Sequence, residues 1–238
     1  MNMMDSEQAR TARTFDAYKG VYTQTVDESL AFTGMSADFF TRVKAGYILD
    51  LAREKFGTSD KLSALDIGCG VGNYHELLAP HFGKLSGVDV SSESIEVARQ
   101  RGLPVSYDVY DGATLPYSDR CFNLAFAICV VHHVPPARWK VFASEMRRVL
   151  KPGGLALVFE HNPRNPLTMR VVNSCPFDAD AVLLRNETTE ALLSTAGFKQ
   201  VHSKFILSIP AANTWLRRVD SLFSRLPFGA QYYVSATA

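Results

Sequence analysis

The residues of this chain best suited to binding chemistry follow a short apolar segment, where Gly68, Gly70 and Gly72 occupy alternate positions and Asp66 stands just ahead of them. Glycine lets a ligand lie against the backbone, and a turn between a buried strand and a helix directs amide groups toward that ligand. Tight turns without a ligand also use glycine, so the glycines alone are a weak signal. The neighbouring acid favours a ligand with a positive group beside the turn.

The spacing of the glycines distinguishes two kinds of nucleotide cofactor. A dinucleotide site follows the pattern G-x-G-x-x-G, but Asn73 stands where a third glycine would follow Gly68 and Gly70. A diphosphate placed beside Asp66 would also be repelled in a poorly solvated site. We therefore expect a cofactor that carries a positive charge rather than a diphosphate.

Two further acids follow the next apolar segments. Asp89 stands 19 residues after Gly70, where a carboxylate can accept hydrogen bonds from both hydroxyls of a ribose, and we add its neighbour Val90 to the cofactor site. Asp111 could accept the exocyclic amine of an adenine while the amide of Gly112 donates to a ring nitrogen, although the segment taken alone is an ordinary turn. Together these acids indicate a nucleoside.

Polar side chains at the ends of two later apolar segments are candidates for a general base. His132 and His133 follow one segment, and Glu160, His161 and Asn162 end the next. The pKa range of histidine suits a base near neutral pH, so His161, His133 and Glu160 are the catalytic candidates, and His132 and Asn162 are placed against the acceptor. These groups could instead hydrogen-bond the loop backbone. No metal site is predicted, because Glu160 and His161 have no visible third ligand.

The elements that must position these residues alternate between short apolar runs and helical patterns, which is typical of βαβ units around a parallel sheet. Strands are predicted over residues 62–68, 84–90, 105–110, 122–131, 155–161, 199–210 and 230–238. Helices are predicted over residues 36–57, 73–82, 91–102, 137–150, 188–198 and 213–226, with a short one at 167–172. Read from its residues, the last strand could pair antiparallel at an edge of the sheet.

Four pieces of the sequence, in this order, resemble the class I S-adenosylmethionine-dependent methyltransferases of small-molecule type. They are LDIGCGVG, GVDVS, YDGATLPYSDRCFNLAFAICVVHHV and LKPGGLALVFE. The resemblance implies an α/β fold: a Rossmann-like, seven-stranded, mostly parallel sheet into which an antiparallel last strand inserts, with helices on both faces and an N-terminal helical lid. Asn123 departs from the family's usual aspartate, a structural position that hardly affects the cofactor.

The resemblance also implies the cofactor, S-adenosyl-L-methionine, with S-adenosyl-L-homocysteine as product. Asp66, Gly68 and Gly70 would hold its methionine end, with Cys129 nearby, while Asp89 would bind the ribose and Asp111 and Gly112 the adenine.

Domain boundaries are predicted from the position of the first strand and from the long connections between later elements. Residues 1–60 are predicted to form a helical cap or lid, and residues 61–238 the catalytic domain, in which 162–186 and 210–229 are insertions that shape the substrate pocket. Among the N-terminal aromatic residues, Tyr22 is assigned to the cofactor and Tyr18 to the acceptor. Such aromatic residues could equally be buried as plain core.

The predicted function is methyl transfer from the cofactor to a small molecule, most simply to a hydroxyl of a saccharide or secondary metabolite, by in-line displacement with a histidine base. The alternatives are N-methylation of a small molecule, a nicotinamide-dependent oxidoreductase, and a protein that binds the cofactor without turnover. Nucleic acid methylation is disfavoured, because the formal net charge is only +1 and the segment that ends at His133 has no NPPY-like motif.

Composition limits the cellular context. Four cysteines occur without a C-x-x-C pair, which predicts reduced thiols rather than a zinc or redox motif. The longest apolar run, residues 124–131, is far shorter than the roughly 20 residues that a membrane helix needs, and the first ten residues lack the apolar stretch of a signal peptide. We therefore expect a cytoplasmic monomer or homodimer whose partner is a small-molecule substrate, with no nucleic acid or membrane involved.

Overall fold

The computed structural model describes residues 22–211 and 213–238. The strands are β1 Ser63–Ile67, β2 Lys84–Asp89, β3 Val105–Val109, β4 Phe122–Ile128, β5 Leu150–His161, β6 Lys199–Ile206 and β7 Gln231–Thr237. The helices are α1 Tyr22–Leu30, α2 Ala37–Phe56, α3 His75–Leu78, α4 Ser92–Gln100, α5 Trp139–Val149, α6 Pro166–Ser174, α7 Asn186–Thr195 and α8 Thr214–Ser221. Short 3-10 turns at Ala31–Thr33, Ala79–His81, Val131–His133, Pro136–Arg138 and Pro176–Asp178 extend or link these elements.

The strands form one seven-stranded sheet in the order β3-β2-β1-β4-β5-β7-β6. The neighbours from β3 to β5 pair in parallel, and β7 pairs antiparallel with both β5 and β6. The strand order reverses direction between β1 and β4. Ligands of open α/β sheets bind beyond the carboxyl ends of the strands at such a point, so the sheet places the glycine turn where a ligand is expected.

The position of β7 corrects the expectation drawn from its residues alone. The last strand does not lie at an edge, because it inserts between β5 and β6, and β6 is the edge strand. Tyr232, Tyr233 and Val234 are all buried, and consecutive residues of a strand point to opposite faces of the sheet. Burial on both faces is typical of a strand in the interior of a sheet, which is the position that the family resemblance implies.

Both faces of the sheet are covered, as the apolar strands predicted. Along β1, Leu65 and Ile67 pack in one core cluster and Ala64 in another on the opposite face. The first cluster contains side chains of α5 and α7, and the second contains side chains of α2 and α3. The long helix α2 begins at Ser36, whose side chain accepts a hydrogen bond from the amide of Phe39 and caps the first turn.

Strand β5 begins earlier than predicted. Leu150 pairs with Phe122 before the Pro-Gly-Gly segment disrupts the register, and regular pairing resumes where Leu155 meets Leu124. The proline-rich segment contains the expected short helix, α6, because Asn165 caps its first turn and Pro166 stands at the start, where proline is tolerated.

The N-terminal predictions are only partly within the described residues. Tyr18 and the other residues of 1–21 lie outside them, and for Tyr22 only the backbone, at the start of α1, is described. The division into a cap and a catalytic domain stays a prediction. Among the residues described, no helix combines the length and apolar character needed to cross a membrane.

Candidate active site

The carboxyl ends of β1, β2, β4 and β5 border one cavity of about 700 Å³, a volume typical of small-molecule sites. The three glycines after β1 all have positive φ, from +51° at Gly70 to +78° at Gly68. A Cβ on Gly68 would collide with Val130 at 2.6 Å, whereas a Cβ on Gly70 would meet no atom of the described residues within 4 Å. Gly70 is therefore the position at which the backbone opens to the cavity.

The acid beside the turn, Asp66, belongs to a buried chain of three polar groups. Its Oδ2 lies 3.1 Å from His75 Nε2, and His75 Nδ1 lies 2.8 Å from the hydroxyl of Tyr107. Burial raises the pKa of Asp66, an effect that the contact with His75 only partly offsets. A cation in the cavity would favour the charged carboxylate. The sequence reading did not single out His75, although a histidine directly after the glycine turn was visible.

The second acid, Asp89, joins the end of β2 to the glycine turn. Its Oδ2 accepts the amide of Gly70 at 2.8 Å, and its Oδ1 accepts the amide of Ser91 at 2.9 Å. Burial raises the pKa of Asp89 even though these two amides lower it. Each carboxylate oxygen can accept a second hydrogen bond. Asp89 and Val90 both line the cavity, so the carboxylate can also accept hydrogen bonds from a ligand.

The third acid lies farther out. Asp111 is exposed, and its Oδ1 accepts the amides of Ala113 and Thr114 at 2.8 Å each. These two hydrogen bonds lower the pKa of Asp111. Neither Asp111 nor Gly112 lines the cavity, although the preceding residue, Tyr110, does. Adenine binding by this pair stays a prediction.

Cys129 directly follows β4 and lines the cavity, next to a lysine that was not predicted from the sequence. Lys44 of α2 is only 5% exposed, and its Nζ lies 3.7 Å from Cys129 Sγ. Burial raises the pKa of the Cys129 thiol, but the neighbouring Lys44 and His161 outweigh burial and bring it to about 7. Lys44 stands on the buried stripe of α2 beside Val43 and Ala45, and a lysine within an apolar stripe was the signal available in the sequence.

The paired histidines after β4 meet an acid from the proline-rich segment. Glu160 Oε1 accepts the amide of Val131 at 2.9 Å, and its Oε2 makes a short contact with His132 Nδ1. Asp178 Oδ1 lies 3.5 Å from the Nε2 atoms of both His132 and His133. Burial lowers the pKa of His132, but the two carboxylates overcome this and raise it to about 10. Burial and the neighbouring His132 lower the pKa of His133 to about 3.

His161 and Asn162 end β5 but face different surroundings. His161 lines the cavity, where its Nδ1 lies 3.4 Å from Gln231 Nε2. Asn162 is buried away from the cavity lining, and its amide donates to the carbonyls of Pro227 at 3.1 Å and Gly229 at 2.8 Å. In this structure Asn162 fastens the connection before β7 to the end of β5.

S-adenosylmethionine fits the residues around the glycine turn. Its amino-acid end carries one ammonium and one carboxylate group, and the described lining offers a buried carboxylate, Asp66, and a buried ammonium, Lys44, to match them. Gly70 permits close approach of the ligand to the backbone, and Asp89 can accept hydrogen bonds from ribose hydroxyls. The residue types and charges therefore match a cationic nucleoside better than a diphosphate.

Comparison with protein families agrees with a site for S-adenosylmethionine. Residues 64–154, which include the glycine turn and strands β1 to β4, match the family model described as a methyltransferase domain. A crystal structure of a Thermotoga maritima protein, described as an S-adenosylmethionine-dependent methyltransferase and possible histamine N-methyltransferase, superposes with a TM-score of 0.63 at 19% identity, covering 97% of this chain and 99% of that one. At this identity the likeness shows the fold alone.

Two curated relatives align over most of the chain. The 24-methylenesterol C-methyltransferase 2 of Oryza sativa is 29% identical over 218 residues, which cover 86% of this chain and 58% of that protein. The ubiquinone biosynthesis O-methyltransferase of Rhizobium etli is 28% identical over 200 residues, which cover 74% of this chain and 78% of that protein. The chain thus spans little more than half of the rice protein. Both relatives methylate small molecules by their names, one at carbon and one at oxygen.

Proposed function

We propose that this chain, whose residues 64–154 match the methyltransferase-domain model, is a class I S-adenosylmethionine-dependent methyltransferase that methylates a hydroxyl group of a small, largely apolar molecule. The observation that carries this proposal is the shared cavity, which is lined by the glycine turn, by His161 and by a set of mostly apolar side chains that we call the acceptor chamber. When bound, S-adenosylmethionine supplies an electrophilic methyl group on a sulfonium sulfur. The reaction then depends on placing an acceptor oxygen in line with that group and excluding water.

The amino-acid end of the cofactor is held by complementary charges in this proposal. Asp66 faces the ammonium group and Lys44 the carboxylate, while Gly70 and Asp89 bind the remainder near the turn. Lys44 is more than nine-tenths buried, and its contacts include the Cys129 sulfur and the face of Tyr74, 5.8 Å from its Nζ to the ring centre. A buried ammonium gains strongly from an anionic partner, which supports the assignment of Lys44 to the cofactor carboxylate.

The general base is assigned to His161 by comparing the three candidates. Both oxygens of Glu160 are already engaged by Val131 and His132, and Glu160 is 1% exposed. His133 has a pKa of about 3, so it is too weak a base to take a proton from a hydroxyl at neutral pH. His161 lines the cavity and contacts the movable amide of Gln231, which can orient its ring.

The character of the chamber favours an apolar acceptor over a saccharide. Its wall is formed largely by apolar side chains, which include Leu30, Met35, Phe40, Val171, Phe177 and Ile209. Leu167 and Phe228 also line the cavity and are 61% and 68% exposed, so they add apolar surface that a bound acceptor would cover. A saccharide would leave many hydroxyls without hydrogen-bond partners against this wall.

The test is an acceptor screen with purified protein and S-adenosylmethionine, followed by mass spectrometry of both products. Phenols and polyketide-like alcohols are compared with amines and with saccharides. The proposal predicts S-adenosylhomocysteine formation together with O-methylated product from the apolar alcohols. Methylation confined to amines would instead support the alternative of N-methylation, and turnover of a nicotinamide cofactor would overturn the assignment.

A variant of the base refines the screen. His161→Gln should lower kcat by at least about a hundredfold, the usual contribution of a general base, while cofactor affinity changes little. His202→Ala, which removes an exposed histidine on β6, is the matched control and should keep full activity. An unchanged rate for His161→Gln would mean that another group, or water, accepts the proton.

A further inference from the structure

The two histidines after β4 and the acid of the proline-rich segment form a cluster that the proposed reaction does not use. His132 and His133 belong to the 3-10 turn Val131–His133, and Asp178 ends the turn Pro176–Asp178. The fold brings these distant segments together, partly through a hydrogen bond from the amide of Val182 to the carbonyl of His132 at 2.9 Å. One nitrogen of each histidine and one oxygen of Asp178 lie within 4.8 Å of one another.

The distances inside the cluster suit a shared metal ion better than hydrogen bonds. Asp178 Oδ1 lies 3.5 Å from both Nε2 atoms, whereas hydrogen bonds from nitrogen to oxygen are usually about 2.7 to 3.2 Å long. His132 Nε2 is fully buried and has no hydrogen-bond partner among the residues that the structure describes. Ligand atoms about 2.0 to 2.1 Å from a tetrahedral metal ion are roughly 3.3 to 3.4 Å apart. The two separations from Asp178 Oδ1 are close to that value.

The contact between Glu160 and His132 also supports a metal site. Glu160 contacts Nδ1 of His132, the ring nitrogen opposite the one that faces Asp178. Metal-binding histidines usually direct their second ring nitrogen to a carboxylate or carbonyl in this way, which fixes the orientation of the ring. Glu160 is itself held by the amide of Val131 at 2.9 Å, so the ring of His132 is positioned by the backbone that carries it.

The cluster opens into the cavity, because all three residues contribute to its lining. Two imidazoles and one carboxylate form a donor set that suits divalent transition metals, and sites with three protein ligands leave a coordination position for water or substrate. We propose that His132, His133 and Asp178 bind one divalent transition-metal ion of the zinc type, with an open coordination position that faces the acceptor chamber. If the proposed function holds, an oxygen atom of the acceptor is the natural fourth ligand.

No metal site was predicted from the sequence, because Glu160 and His161 have no third ligand near them in the chain. The structure instead assigns Glu160 to the support of His132 and brings in Asp178, which stands 45 residues from His133 along the chain. No sequence spacing identifies such a ligand set, since it depends on how the proline-rich segment folds over the end of β4.

The experiment measures metal binding directly, without cofactor or acceptor, so that its result is independent of the proposed methyl transfer. The full-length protein is treated with a chelator, dialysed, and titrated with Zn²⁺ by calorimetry and with Co²⁺ by visible absorption spectroscopy. We expect one equivalent of each ion to bind, and Co²⁺ to show the d–d absorption of a four- or five-coordinate site.

Variants locate the site. Asp178→Ala and His133→Ala should each weaken Zn²⁺ binding by at least about a hundredfold, in line with the loss of one ligand from a three-ligand site. Asp180→Ala and His202→Ala remove an exposed acid and an exposed histidine outside the cluster and should bind as the wild type does. His132→Ala is avoided, because it would leave Glu160 buried without its histidine partner.

Two results would overturn the proposal. Absence of stoichiometric binding to the folded wild type would show that the cluster is an ion-pair network only. Binding that survives both Asp178→Ala and His133→Ala would place the metal elsewhere. Circular dichroism of each variant confirms that lost binding is not lost folding.

Discussion

At the scale of single residues, Cys129 has the most distinctive chemistry of the four cysteines. The pKa of its thiol is lowered to about 7, whereas burial raises the pKa of Cys69, Cys121 and Cys175 above the usual value. Burial opposes the thiolate at Cys129 too, so the difference comes from the neighbouring Lys44 and His161. The residue also has φ +56°, a conformation that non-glycine residues adopt rarely and mostly at functional sites.

This environment predicts a pH-dependent reactivity. Because the thiolate is the nucleophile, alkylation of Cys129 by iodoacetamide should rise from slow to fast between about pH 6 and pH 8, around the pKa of about 7. Lys44→Met removes the nearest cation and should move the midpoint upward by at least about one pH unit, since burial then acts with less opposition. The measurement is the rate of Cys129 modification by peptide mass spectrometry at several pH values.

The other cysteines serve as internal controls for this experiment, since their modification should stay slow over the same pH range. S-adenosylhomocysteine should protect Cys129 if the methionine end of the cofactor lies beside it. A midpoint near pH 9 in the wild type, or no shift in Lys44→Met, would show that Lys44 does not stabilise the thiolate.

At the scale of elements, one buried acid joins α8 to the cavity wall. Asp220 is 0% exposed and accepts hydrogen bonds from the hydroxyl of Tyr47 on α2 and from the amide of Leu207, both at 2.8 Å. It also accepts the amides of Ser208 at 2.9 Å and Ile209 at 3.2 Å. Since residues 207–209 line the cavity, this carboxylate fixes a segment of the pocket between two helices and the end of β6.

Loss of this carboxylate should be costly. Asp220→Ala leaves three backbone amides and one hydroxyl without their acceptor, so we expect the free energy of unfolding to fall by about 3 to 5 kcal/mol. Tyr47→Phe removes one of the four donors and should cost only about 1 kcal/mol. Urea denaturation of the two variants measures both values. If Asp220→Ala lowered the free energy of unfolding no more than Tyr47→Phe, the amides of residues 207–209 would have other acceptors. The structural role assigned to Asp220 would then be wrong.

At the scale of the whole molecule, cofactor binding should stabilise the fold, because the cavity is bordered by residues from both ends of the sequence, from Ser29 to Gln231. A ligand that binds only the folded state at a concentration of 100 Kd adds about 2.7 kcal/mol. For a chain of this length we expect S-adenosylhomocysteine at that concentration to raise the Tm by about 5 to 10 °C. Differential scanning fluorimetry measures the shift.

Two controls give this experiment its specificity. NADH should leave the Tm unchanged, because Asp66 and the glycine spacing disfavour a diphosphate. Asp89→Ala should lose most of the shift, since it removes the carboxylate assigned to the ribose and also frees the amide of Gly70. Equal stabilisation by NADH, or an undiminished shift in Asp89→Ala, would contradict the cofactor site described above.

The family, the cofactor and the succession of strands β1 to β5 along the chain could be predicted from the sequence for a local reason. Asp66, Gly68 and Gly70 are neighbours in the chain, and Asp89 follows at a spacing set by one βα unit. Each of these residues lies where its own strand ends, so short segments carry the information. The fold class predicted from these pieces is confirmed by the seven-stranded sheet with its antiparallel last strand.

Other features depended on segments far apart in sequence. Lys44 reaches Cys129 only because α2 packs across the carboxyl end of β4, and Asp178 meets the two histidines only because the proline-rich segment folds over the same end. Asn162 shows the reverse case. Its position beside two candidate residues in the sequence predicted a place in the acceptor site, whereas its side chain donates hydrogen bonds to the backbone of the connection before β7.

The sequence by itself thus determined where on the sheet the cofactor is expected to bind, because the glycine turn and its acids stand at the ends of successive strands within a short stretch of chain. Tertiary structure alone decided which charges meet across the cavity, where β7 inserts, and which acid faces the paired histidines. Those contacts depend on long-range packing, and local patterns of residue type carry no record of it.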